Sequence, residues 1–134
     1  MTAWSGWIAV VLIAAAAMLP LGHHLYAKRR AAPDSPWTRL HVVFGVSVVG
    51  IAFVHTMAII QMLGSPAAVG GGMLALLPGG IAFFLLMAHA GLGLQLRDVR
   101  LRGRARKRRA HLATATAIVV TVAAHVIALV RARG

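Results

Sequence analysis

Residues 39–64 read RLHVVFGVSVVGIAFVHTMAIIQMLG. After Arg39 the stretch holds no charged side chain, and it exceeds the roughly 20 helical residues needed to cross a bilayer. It also contains two imidazoles, His41 and His55, fourteen residues apart. Residues 109–131 read RAHLATATAIVVTVAAHVIALVR and repeat the arrangement, with His111 and His125 again fourteen apart.

Two further apolar stretches have the same character. The expected spans are about 3–26, 40–64, 72–96 and 110–130. Spanning backbone must satisfy its own hydrogen bonds, so helices are expected; the alternating polarity of a barrel strand is absent. The sequence therefore predicts an all-α, integral membrane, four-helix up-down bundle, forming one domain over residues 1–134. Lacking a basic n-region and a short h-region, the first stretch reads as a retained span and not a secretory signal.

Composition agrees. Of the 134 residues, 60% are hydrophobic, and Asp34 and Asp98 are the two acidic side chains. The net charge of +12 does not point to nucleic acid, because the positive residues sit in short runs between apolar stretches, as membrane topology requires. Lys28, Arg29 and Arg30 mark the first connection, followed by Pro33 and Pro36, which disfavour a continuous helix. The second connection, from Gly64 to Gly72, carries no charge. The third holds Arg97, Arg100, Arg102, Arg104, Arg106, Lys107, Arg108 and Arg109. Basic loops stay in the cytoplasm, so the expectation is a cytoplasmic (plasma) membrane protein with both termini outside. Arg131 and Arg133 are outvoted. Trp4, Trp7 and Trp37 fit interfacial anchors.

Fourteen residues at about 100° each return to within about 40° of the starting direction and rise about 21 Å. Each histidine pair thus lies along one helix face. Helices two and four run the same way, and both pairs begin near the basic end. His41 is then level with His111, and His55 with His125. A six-coordinate porphyrin iron needs one axial ligand from each side, and this placement supplies that twice. The second imidazole nitrogen needs a partner; the carbonyls four residues back, at Trp37, Ile51, Lys107 and Thr121, are the expected ones, with the Thr121 hydroxyl a further candidate for His125. Against this, a lone histidine in a membrane helix is commonly an interhelical hydrogen-bonder. Absence of cysteine excludes thiolate metal sites and c-type haem attachment.

Arg39-Leu40-His41 through His55 and Arg109-Ala110-His111 through His125 resemble the two ligand helices of the transmembrane b-type cytochromes: respiratory cytochrome b, the cytochrome subunits of dehydrogenases and hydrogenases, and the ferric-reductase group. The resemblance covers nearly the whole chain and rests on topology and spacing. It implies two haems b, with ligands His41, His111, His55 and His125, and transmembrane electron transfer. It also implies a redox partner protein or a quinone beside membrane lipid, and an electron-transfer protein or oxidoreductase subunit more than a stand-alone enzyme. Gly79 and Gly93, fourteen apart in the third span, resemble the haem-facing glycines of that core, and Gly45 and Gly50 can serve likewise in the second. Simple close packing is the other reading of these glycines.

Arg39 and Arg109 are candidates to pair with propionates, whereas topology and anionic lipid suffice for the rest of the basic cluster. His89 has several readings: a quinone contact, proton transfer, replacement of His41 or His111 as ligand, or a packed polar contact. His23 and His24 are expected in the headgroup zone. No acidic residue lies in a span, which argues against a carboxylate proton relay. Two alternatives stay open: a single-haem cytochrome, and a haem-free transition-metal transporter or assembly factor.

Overall fold

The computed structural model describes residues 2–65 and 73–132, the side chains from Trp4 onward. Gly70, Gly71 and Gly72 of the uncharged connection, and Arg133, lie outside the described residues. Four helices follow one another: α1 (Thr2–Ala27), α2 (Pro36–Met62), α3 (Met73–Gln95) and α4 (Arg104–Arg131). The shortest has 23 residues, about 35 Å at 1.5 Å per residue, enough for a hydrocarbon core of about 30 Å. All four are long and apolar enough to cross a membrane, and the chain is an all-α, multi-pass membrane bundle.

Two helix starts differ from the expected boundaries, each for a local reason. α2 begins at Pro36 because Ser35 caps it: its Oγ accepts from the Thr38 amide at 3.3 Å, and a proline at the first helical position has no amide to leave unpaired. α4 begins at Arg104, six residues before the apolar stretch. Gly103, at φ 70°, turns the chain into it. Arginine and lysine favour helix, and Arg104 fastens the turn by donating to Leu96 O and Asp98 O, both at 2.7 Å. The basic run is thus largely a helical extension of α4 rather than loop.

Close backbone packing joins α1 to α2 and α3 to α4, with a lighter seam between α2 and α3. Helices α2 and α4, which carry the histidine pairs, have no comparable seam between their backbones. Among the described residues only Ala9, Ala16, Val48, Ala52, Ala82, Leu86 and Ile118 are buried. Large apolar side chains such as Val11, Phe84, Leu112 and Val120 point outward, which a lipid surround tolerates and water would not. Val48, Ala52, Leu86 and Ile118 form one cluster, supported by Leu12, Ile13, Phe83 and Val122. All four helices contribute, and the layer sits midway between the two histidine levels.

Candidate haem site

The inward face of each helix follows steps of three and four residues. In α2 these positions are His41, Gly45, Val48, Ala52 and His55; in α4, His111, Ala115, Ile118, Val122 and His125. Val48 and Ile118, exposed by 2% and 3%, fix which face is inward. Both histidines of each helix therefore share the stripe that meets the other hairpin.

The rings are held by the neighbouring helix of their own hairpin. His41 Nδ1 bonds Ala16 O of α1 at 2.8 Å. His111 Nδ1 bonds His89 O of α3 at 3.2 Å, and His125 Nδ1 bonds Ala75 O of α3 at 3.3 Å. A carbonyl only accepts, so each Nδ1 donates. In the neutral ring Nε2 then keeps its lone pair, the form in which an imidazole ligates a metal. His55 Nδ1 meets Ser5 Oγ of α1 at 2.9 Å.

These partners correct the expected ones. The residues Trp37, Ile51, Lys107 and Thr121 lie within their own helices, and each ring instead bonds a residue of the adjacent helix. The Thr121 hydroxyl donates to Ala117 O and Ile118 O and does not serve His125.

Small residues make these approaches possible. A Cβ added to Gly79 would lie 2.8 Å from His125 Cε1, one on Gly93 would lie 3.2 Å from His111 Cε1, and one on Gly6 would lie 3.2 Å from His55 Cε1. Gly79 and Gly93 are thus seats for the imidazoles. Each stands four residues after the carbonyl its histidine bonds, Ala75 and His89. The same offset relates Pro20 to Ala16. Proline has no amide, so Ala16 O loses its helical donor and is available to His41. A Cβ on Gly45 or Gly50 meets nothing within 4 Å; Gly45 lies one turn from His41 on the inward stripe, Gly50 on the outer surface.

The inner pair is brought together: the His41 and His111 ring centroids are 6.3 Å apart, with the planes at 85°. Two imidazoles bound across one metal ion at about 2 Å each place their centroids about 6 Å apart, a separation this pair matches, as does an edge-to-face ring contact. His89 lies beside this pair. It stacks on His111, 3.7 Å between centroids and 15° between planes. Thr114 Oγ1 donates to His111 O and accepts from His89 Nδ1 at 2.9 Å, closing a ring of contacts around the ligand candidate. Among the described residues no three histidine, cysteine or acidic side chains converge as a metal site. At the other end, His55 lies on Gly6 and His125 on Gly79, one ring in each hairpin.

Arg39 and Arg109 are exposed. Each precedes a histidine by two residues, about 160° away around the helix. Arg39 lines an open cleft of about 440 Å³ with Pro33, Asp34, Leu94, Arg97, Asp98 and Val99. His23 stands against Trp37 at the basic end, with ring centroids 5.7 Å apart. No family model, no curated protein and no solved structure matches the chain.

Proposed function

We propose that the protein is a di-haem b-type membrane cytochrome that carries electrons between the two sides of the cytoplasmic membrane, on its own or as a subunit of a redox complex. The observation that carries the reading is the set of Nδ1 tethers. Three of the four inward imidazoles donate through Nδ1 to carbonyls of the neighbouring helix, which reserves Nε2 for a metal. The 6.3 Å separation of His41 and His111 accommodates one iron between the rings, although an edge-to-face ring contact has the same dimensions.

In this reading His41 and His111 hold the haem at the basic end, and His55 and His125 hold the one at the opposite end. Haem b supplies one-electron exchange between ferric and ferrous iron when bound. The chain's own residues do the rest. Helices α1 and α3 orient the imidazoles, and Gly6, Gly79 and Gly93 admit them. Gly45, with open space around its Cα, leaves room for a flat group beside His41. The layer of Val48, Ala52, Leu86 and Ile118 separates the two levels and keeps water out of the middle of the bundle. Arg39 and Arg109, on flexible side chains at the basic end, are the proposed partners of propionates. The basic segments at that end support a cytoplasmic position for it, with both termini outside. A quinone or a docked redox protein is the proposed exchange partner.

A reduced-minus-oxidised optical spectrum of the purified protein, expressed with haem supplied, tests this. The expected result is a b-type Soret and α band. Protein without Soret absorption would instead favour a haem-free transporter or assembly factor.

A further inference from the structure

The four tethers are not equivalent. His41, His111 and His125 donate to backbone carbonyls, which any residue at those positions would supply. His55 engages a side chain, Ser5 Oγ at 2.9 Å, while its ring lies over the adjacent Gly6. Ser5 and Gly6 together form a seat in which glycine admits the ring and serine meets its nitrogen. If His55 ligates through Nε2, its proton is on Nδ1 and the serine oxygen is the acceptor.

We propose that Ser5 is a positioning residue that tunes the haem held by His55 and His125 without touching it, so that the two haems are given different reduction potentials by a side chain on α1. The proposal rests on the di-haem reading above. An acceptor at Nδ1 makes the imidazole more electron-rich, which stabilises ferric over ferrous iron and lowers the potential. A hydroxyl can be removed or restored by substitution, so this tether is adjustable in a way the three carbonyls are not. The inner pair has no such side-chain handle at Nδ1; its setting is built into backbone, through Pro20 on one side and Gly93 on the other.

The test is an optical redox titration of the purified, haem-loaded full chain. His55→Ala first identifies the wave of the outer haem by abolishing it. Ser5→Ala is then expected to move that wave to higher potential and leave the other unchanged, and Ser5→Thr, which keeps the hydroxyl, to return it toward its original position. Both waves unmoved in Ser5→Ala, a shift confined to the inner wave, or a Ser5→Thr wave displaced as far as that of Ser5→Ala would each overturn the proposal. If Ser5→Ala loses the outer haem altogether, its retention in Ser5→Thr supports the assignment and its loss there contradicts it. An unmodified chain without two haem waves refutes the di-haem reading itself, a failure visible before any variant is made.

Discussion

At the residue scale the glycine seats carry the sharpest consequences. On Gly79 an added methyl would sit 2.8 Å from the His125 ring, closer than a Cβ contact allows, and on Gly93 it would sit 3.2 Å from His111. Gly79→Ala is therefore expected to displace His125 and weaken haem retention at the outer site by roughly tenfold or more, the scale on which disturbed ligand support acts. Gly93→Ala should be milder and act on the inner site. Haem content per chain across a dilution series, with electron paramagnetic resonance to assign the remaining haem, checks the order and the site. His55→Ala, which removes one ligand outright, is expected to lose one haem and keep much of the other; full retention of both would refute the assignment of His55.

At the scale of elements, α1 and α3 hold the imidazoles that α2 and α4 carry, which are the ligands in the proposed reading. Each scaffold helix presents small or imino residues at fourteen-residue separation: Gly6 and Pro20 in α1, Gly79 and Gly93 in α3. The spacing equals that of the histidines they face. Pro20→Ala supplies an amide four residues after Ala16 and so gives its carbonyl a helical donor that competes with His41. The expected outcome is a rise in the potential of the inner haem with the outer one unchanged, read by redox titration, and no loss of helicity by circular dichroism.

Much of this is legible in the sequence, and the missing part is physically definite. Run lengths and charge placement locate four spans, because the bilayer imposes a minimum length on any chain that crosses it. The paired fourteen-residue spacing puts His41, His55, His111 and His125 on inward stripes, since helical periodicity alone determines which residues share a face. Two boundaries escape a hydropathy reading because Ser35 caps and arginine extends a helix where apolar content gives no signal. The Nδ1 partners escape it for another reason. They lie on adjacent helices, and interhelical pairing depends on packing that a single helix does not encode. The Gly79 and Gly93 ladder is visible in the sequence, but only the packing reveals that imidazoles occupy it. Gly6 and Pro20, its counterpart in α1, are harder to see because one of the two is not glycine.

For the whole molecule, the charge distribution makes a prediction independent of haem. The connection between α1 and α2 and the helical basic extension of α4 share one end of the bundle. Positive segments are retained in the cytoplasm, so a reporter at either terminus should read as external, and cysteines introduced at Ser35 or Arg102 should be shielded from an impermeant thiol reagent in intact cells. Labelling at those two positions without lysis would reverse the orientation. The two hairpins join chiefly through the light seam between α2 and α3 and the central apolar layer. A group clasped by one histidine from each hairpin at both levels would fasten them, so haem removal is expected to lower the thermal midpoint, by linkage between binding and folding. Thermal melts of haem-loaded and haem-depleted protein in one detergent check this.

The most direct measurement is the pyridine haemochrome content of purified chain, normalised to protein by amino-acid analysis. Two haems b per chain are expected. One per chain would reduce the site to a single histidine pair, and none would contradict the claim that these imidazoles bind iron at all.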